Sequence, residues 1–444
     1  MPPSAMTASR PLLLYADASG RILEHPFLEM TGSSAGRLTR PSPKELIPLP
    51  EGSELFRLPG RYPIGYDRHK KRYHVLTRDP YNPHRSVEAV AAFIAPAHTQ
   101  LYSAAYKTRP DAPLLPLFAY TAVGWCDGGF VTTAVRVDPD PRQDFKNFDR
   151  EAIARNARRR MSRLSSNRLI QHLGKCALTY GCPAARNLFM NRWEAPLPTS
   201  PVCNARCLGC ISLQEESGLC ATQDRIGFVP TPEEIAETAV PHLLKAPRAV
   251  VSFGQGCEGE PLLQGKTLEV AIRIMRRETS RGTINCNSNA SLPDVAARLA
   301  DAGLDSLRVS LNSARPEFYH AYYRPRGYGF DDVVRSIQAM KSRSRFVSLN
   351  YFVLPGFTDD PQEFQALCTL LEKAPVDLIQ MRNLSADPEW ILSRLGFQSK
   401  GKPLGILRLM ERIRDRFPDI RFGYFNPCLD PEQELHGRGE DENV

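Results

Sequence analysis

Cys203, Cys207 and Cys210 fall within the stretch "SPVCNARCLGCISL", a C-x3-C-x2-C spacing with no second pair of cysteines close behind it. Grouped thiols of this kind bind metal, and the two obvious metal chemistries ask for different ligand sets. A structural zinc ion wants four ligands closed into a tetrahedron, usually as two short pairs separated by a linker. Here the fourth would have to come from elsewhere, with Cys220 the nearest candidate. The C-x3-C-x2-C spacing instead suits three corners of an iron–sulfur cube, whose thiolate ligands hold three irons and leave one coordination position open. An open metal position binds a substrate or cofactor directly, so three cysteines on one loop are then a complete set.

Such a loop needs rigid elements to carry it. After Pro201 the chain alternates short apolar runs with longer amphipathic ones: "AVVSFG" then "TLEVAIRIMRRE", "TINCNSN" then "LPDVAARLADAG", "SLRVSLN" then "FDDVVRSIQAMK". The series continues through "VSLNYFVLPG", "PQEFQALCTLLEKA" and "DLIQMRNL". Counting a strand before Cys203, this makes about six strand–helix units and predicts an α/β fold with a parallel sheet, most simply an incomplete (β/α)6 barrel. In such a barrel the chemistry gathers at the C-terminal ends of the strands, which is where the unusual residues fall.

Upstream the pattern is different. "LLLYADASGRILEHP" reads as two strands around a Gly-containing turn, and "LFAYTAVGW" and "GGFVTTAVRVDP" supply more β-branched and aromatic runs around "CDGG". From about Asp149, "DREAIARNARRRMSRLSSNRLIQHL" spaces Ile153, Ala157, Leu164 and Ile170 as on helices. The organisation expected is therefore a β-rich N-terminal domain over 1–148, a basic helical connector over 149–195, the barrel over 196–390 and a C-terminal extension over 391–444. Arg158, Arg159 and Arg160 either grip phosphates or form a solvated helix face.

Composition bounds the rest. With 444 residues, 42% hydrophobic and 24% charged, the chain is long enough for at least two domains. Lys and Arg exceed Asp and Glu by 57 to 49, a modest net +8 that permits a polyanionic partner without indicating one. The 11 cysteines are scattered apart from the one cluster, and the stretch "MPPSAMTASRPLLLYADASG" has no long apolar core, so a reducing cytoplasm is expected. No apolar run approaches the roughly 20 residues of a membrane span. A helix-borne His pair, a P-loop and a G-x-S-x-G elbow are all absent, which removes the main evidence for hydrolase and kinase readings.

The cysteine loop and its place after a first barrel strand resemble the radical SAM superfamily, in which a 4Fe–4S cluster binds S-adenosylmethionine and cleaves it reductively to a 5′-deoxyadenosyl radical. The resemblance covers roughly residues 196 to 390. It implies that Cys203, Cys207 and Cys210 are the cluster ligands and that an external electron donor of flavodoxin or ferredoxin type is needed. Members commonly carry an aromatic residue before the third cysteine, packed near the adenine; Gly209 stands there in this chain, so that contact must be made differently.

Further motifs fit the same family. "VVSFGQGCEGEPLL" runs a strand into glycines, which lets backbone approach a ligand, with an acidic side chain able to pair with an ammonium group. The family has a Gly-Gly-Glu-like segment here that contacts the methionine amino group; Gly259, Glu260 and Pro261 match its last part, and Glu258 replaces its first glycine. Asn285, Asn287 and Asn289 lie at alternate positions, either facing a polar barrel mouth or marking a solvated edge, and Asn287 or Asn289 is the counterpart of a family asparagine. Ser310 and Asn312 end the next strand as hydrogen-bonding partners for the ribose hydroxyls or the methionine carboxylate, or as loop caps.

Arg324 and Arg326 either neutralise a substrate carboxylate or phosphate or lie on a surface loop among tyrosines, while Asn350 and Tyr351 line the cavity. Cys176 and Cys182 either join Cys126 or Cys220 at a second metal site or are buried small apolar side chains. Cys257 has no assigned role, and after Ala386 only Cys428 remains, too few for a cysteine-rich extension with further clusters. The substrate class stays open among peptide, protein and RNA. The alternatives are an RNA-modifying enzyme that uses the basic connector and, in a different class, a non-catalytic metal-binding regulator.

Overall fold

The computed structural model describes residues 10–214 and 218–430. The first nine residues, on which the expectation of a missing leader partly rests, and the end of the C-terminal extension from 431 lie outside the described residues. The chain divides into two compact units, one comprising 1–139, 352–365 and 381–416, the other 140–351, 366–380 and 417–444.

The first unit is β-rich, as expected. A ten-stranded sheet is accompanied by a three-stranded and a two-stranded one. Its strand Leu12–Ala16 reads as a continuous apolar run because both of its faces are covered. Leu14 and Ala16 enter one core with Val90, Ile94 and Val123, whereas Leu13 and Tyr15 enter another with Leu28 and Val87. The "CDGG" turn joins Val123–Cys126 to Gly129–Thr132 in antiparallel register. Asp127 and Gly128 both adopt positive φ, 50° and 82°, the pair of left-handed conformations that a tight two-residue hairpin requires and that Asp-Gly supplies at low cost.

The second unit begins with helices Arg150–Arg163, Arg168–Leu178 and Pro183–Phe189. Asp149 caps the first by accepting from the Ala152 N–H, and Asn167 caps the second by accepting from Ile170. The helical connector is thus three helices, the third opened by a proline at its first position.

Seven strands then form one sheet in sequence order: β1 (Glu194–Pro196), β2 (Val250–Phe253), β3 (Thr283–Ser288), β4 (Ser306–Leu311), β5 (Phe346–Val353), β6 (Leu378–Asn383) and β7 (Arg421–Gly423). β1 to β5 pair in parallel, as do β6 and β7. Helices fill the crossovers, and those starting at Pro232, Pro293, Pro316 and Pro361 place proline where the missing N–H costs nothing. This is the incomplete α/β barrel anticipated from the alternation, extended by β7 from the C-terminal region. Every residue of β2 and β3 is buried, as a parallel sheet covered on both faces requires.

Candidate metal centre

The loop carrying Cys203, Cys207 and Cys210 leaves β1 through Thr199 and Ser200, both fully buried. Glu258, in the turn after β2, fixes this exit. Its carboxylate accepts from the N–H groups of Thr199 at 2.8 Å and Ser200 at 3.0 Å, from the Thr199 hydroxyl at 3.1 Å and from the Gln255 N–H at 2.7 Å. Gly259 then lies against the Val202–Cys203 peptide: its N–H donates to the Ser200 carbonyl at 2.6 Å, and a Cβ would overlap the Val202 carbonyl. The Glu260 N–H completes the tie by donating to Val202 at 2.8 Å.

The far side of the loop is held by the polypeptide after β4. The Arg206 and Leu208 N–H groups donate to the carbonyls of Tyr323 and Tyr322, at 2.9 and 3.0 Å, and the Arg326 N–H donates to Asn204 at 2.9 Å. The Arg324 guanidinium donates to the Arg206 carbonyl at 2.6 Å, so Arg324 braces the loop, while Arg326 is exposed. Tyr322 and Tyr323 are buried; Tyr323 packs against the Tyr319 ring, and Tyr322 meets Tyr323 edge to face. From the third side, Arg225 donates to the Cys210 sulfur at 3.5 Å and to the Ser212 hydroxyl at 3.1 Å.

The three cysteines are half-buried and unpaired by disulfides. Burial, with Glu260 nearby, pushes the Cys203 thiol up to about 12; burial and the neighbouring sulfurs raise Cys207 well above its ordinary value too. Thiols this reluctant to ionise would become thiolates on binding a metal, which displaces their protons to solvent. The donor set fits a cluster rather than one ion. Tetrahedral zinc–thiolate bonds of 2.3 Å bring sulfurs to roughly 3.8 Å of each other. Among the described residues, the one trio of possible ligands lying within 4.8 Å of one another is His172, Cys176 and Cys257, not these three. A spacing wider than a single tetrahedral ion allows is what three corners of a cube demand.

The other expected residues fall in different places. Glu260 is buried, and its carboxylate is engaged by the Ser288 hydroxyl at 2.6 Å and by the N–H groups of Asn289 at 2.8 Å and Leu262 at 3.0 Å. Pro261 opens the short helix that follows it. Asn289 donates to the Asn204 side chain at 2.8 Å, which joins the end of β3 directly to the cysteine loop. Cys203, Gly259, Glu260 and Asn289 are therefore brought together.

Asn287 lies deeper, donating to the Gly254 carbonyl at 3.1 Å and accepting from Asn285 at 2.8 Å. The asparagines thus belong to the interior and not to a solvated edge. Ser310 sits opposite Asn350 across β4 and β5. Asn312 donates to the Phe318 carbonyl at 3.2 Å; its Oδ1 and that of Asn350 are buried without a hydrogen-bond partner. Tyr351 is fully buried.

Sequence reasoning missed a polar network inside the sheet. Glu194 of β1 accepts from Ser252 and Asn426, both at 2.7 Å; Asn426 also donates to Asn287 at 3.1 Å and accepts from Gln380 at 3.0 Å. Ser306 donates to Asn285 at 2.7 Å. Single polar residues inside apolar runs were the available signal, but their partners are remote in the chain. In the connector, Arg158 and Arg159 are exposed while Arg160 turns inward and donates to the Thr238 carbonyl at 2.9 Å, so the three do not form one phosphate-facing set.

A family model described as "Radical SAM superfamily" matches residues 197–371. GTP 3′,8-cyclase of Lactiplantibacillus plantarum is 26% identical over 160 residues, 36% of this chain and 45% of the relative. The mitochondrial GTP 3′,8-cyclase of Arabidopsis thaliana is 22% identical over 228 residues, 49% and 51% of the two chains. The chain thus spans about half the length of the curated relatives it matches. Among solved structures, methylornithine synthase (PylB) overlaps 63% of this chain and 74% of its own with 16% identity and a TM-score of 0.37. SuiB of Streptococcus suis, bound to its precursor peptide SuiA, overlaps 58% and 53% with 13% identity and a TM-score of 0.38. The cysteine loop and most of the parallel sheet that carries it lie within the stretch 197–371 that matches the radical SAM superfamily, enzymes that bind a 4Fe–4S cluster and S-adenosylmethionine.

Proposed function

We propose that the chain cleaves S-adenosylmethionine reductively at a 4Fe–4S cluster held by Cys203, Cys207 and Cys210, and uses that cleavage to modify a separate substrate. The observation that carries this reading is the bracing of a three-thiol loop from β2, β3 and the segment after β4. When bound, the cluster supplies the electron that breaks a carbon–sulfur bond of the sulfonium.

The chain's own residues bind and orient. Gly259 admits the cysteine loop to the sheet edge, and Glu258 and Glu260 hold the turn through donors on β1 and β3. With three donors on the Glu260 carboxylate, Gly259, Glu260 and Pro261 serve the cofactor's amino end through the shape of the turn more than through that side chain. Asn287 and Asn289 fix the end of β3. Ser310, Asn312 and Asn350 form the polar wall of β4 and β5, where the two unpartnered amide oxygens accept N–H or O–H groups of a ligand. The buried tyrosines beneath the loop exclude water from its underside.

An external flavodoxin- or ferredoxin-type donor would deliver the electron. All 11 cysteines are free, which suits a reducing cytoplasm, and no helix among the described residues is long and apolar enough to cross a membrane. The substrate class remains peptide, protein or RNA; the inward turn of Arg160 weighs against the connector as an RNA grip. The test is anaerobic reconstitution with iron and sulfide, then dithionite and S-adenosylmethionine, with 5′-deoxyadenosine measured by chromatography. Wild type should form it and the Cys203→Ala/Cys207→Ala/Cys210→Ala variant should not. A loaded cluster that fails to bind S-adenosylmethionine would replace this reading with that of a metal-binding regulator.

A further inference from the structure

We propose that His172, Cys176 and Cys257 hold a second metal, a single divalent ion of the zinc class, separate from the cysteine loop. Their ligand atoms all lie within 4.8 Å of one another, and no other trio of possible ligands does so among the described residues. His172 and Cys176 are four residues apart on helix Arg168–Leu178, so they share one face of it. The His172 Nε2 is 3.5 Å from the Cys176 sulfur. Cys257 arrives from the turn after β2, where its own carbonyl accepts from the Ile226 N–H at 2.8 Å.

The chemistry of the set suits zinc. Two sulfurs and one imidazole nitrogen are zinc's preferred donors, and drawing them in to the roughly 3.8 Å of a tetrahedron needs a contraction of about 1 Å or less. On binding, the two thiols release their protons, and two thiolates with one neutral imidazole around a divalent ion leave the site uncharged. That matters because Cys176 and Cys257 are only 2% and 5% exposed, and a buried net charge is costly. A disulfide between the two sulfurs would leave the imidazole without a role. Cys182 stands close enough to both sulfurs to interact with them electrostatically, and its N–H donates to the Cys176 carbonyl at 3.0 Å, but a third thiolate would charge the site, so the fourth position is left to a neutral ligand.

The consequence is positional. Cys257 immediately precedes Glu258 and Gly259, which hold the exit from β1 and the cysteine loop. An ion at Cys257 would fasten that turn to the connector helix and stiffen the frame of the cluster loop.

The experiment uses the full chain with Cys203, Cys207 and Cys210 all replaced by Ala, so that only the second site remains. Cobalt(II) is titrated anaerobically as a spectroscopic stand-in, and zinc retained after purification is measured by mass spectrometry. The expected result is one ion per chain with thiolate-to-cobalt charge-transfer and tetrahedral ligand-field bands. Affinity should fall about tenfold or more in His172→Ala and further in Cys257→Ser, and should be unchanged in Cys368→Ser, a buried cysteine elsewhere in the chain. Should Cys257→Ser fail to fold, His172→Ala, which replaces a partly exposed side chain, carries the test. Binding that is absent from the parent, or equally strong in His172→Ala and Cys257→Ser, would overturn the proposal, as would a Cys176–Cys257 disulfide in anaerobically purified protein.

Discussion

Gly259 packs against Val202 with no room for a side chain: its N–H reaches the Ser200 carbonyl at 2.6 Å, and a Cβ would overlap the Val202 carbonyl while standing 3.1 Å from the Cys203 nitrogen. Because those atoms are backbone, Gly259→Ala must move the start of the cysteine loop. Overpacking of this kind costs about 1–3 kcal/mol. Iron retained after reconstitution should drop to less than half of wild type. Gly256→Ala is the control, since the atoms nearest its Cβ would be side-chain atoms of Gln223 and Ile211 rather than backbone. Equal iron in the two variants would remove Gly259 from the loop's support.

The Arg225 guanidinium donates to the Cys210 sulfur and places a positive charge beside it. Removing it in Arg225→Gln should lower the reduction potential of the bound cluster, because the more negative reduced state loses its partner. A charge-assisted bond of about 1.4 kcal/mol corresponds to roughly 60 mV in a one-electron couple. Redox titration followed by EPR measures the shift, and an unchanged or raised potential would contradict it.

Burial pushes the carboxyls of Glu258 and Glu260 up to about 7, against the pull of their hydrogen bonds. An ordinary glutamate titrates near 4.3, so between these values the folded chain holds more protons than the unfolded one. The stability this confers is fully present below about 4.3 and is lost as pH rises through about 7, on the order of 3 kcal/mol per carboxyl. The melting temperature of the metal-free chain should therefore fall between about pH 5 and pH 8. Glu258→Gln should fall less steeply, and parallel slopes would contradict the assignment.

Arg160 is the inward member of the Arg158–Arg160 run, and burial lowers its pKa to about 10. Arg160→Ala leaves the Thr238 carbonyl without that donor and should destabilise the chain by about 1–3 kcal/mol. Arg158→Ala and Arg159→Ala, at exposed positions, should stay within about 0.5 kcal/mol of wild type. Denaturant unfolding distinguishes them, and equal effects would argue against the inward role.

Much of this was legible along the chain because it is local. The C-x3-C-x2-C spacing lies in one loop, and the alternation of apolar runs located β2 to β6 because each crossover helix has its own amphipathic pattern. β7 was not legible, as three residues carry no periodicity. Glu258 aligned with a family glycine and was read as a departure; its role depends on Thr199 and Ser200, far back in the chain. The His172–Cys176 spacing is visible in the sequence, yet Cys257 joins it only through the fold, so the sequence leaves Cys176 either with Cys126 or Cys220 at a second metal site or as a buried small apolar side chain. The polar interior around Glu194 and Asn426 escaped for the same reason.

The most direct measurement is the EPR spectrum of the dithionite-reduced, reconstituted protein before and after S-adenosylmethionine is added. If Cys203, Cys207 and Cys210 leave one iron open to the cofactor, the wild-type signal must change on addition, and the same addition must do nothing to a sample prepared from the triple alanine variant. A four-iron signal in wild type that S-adenosylmethionine leaves untouched would mean that the loop closes its cluster, and the account of a cofactor-cleaving enzyme would fail.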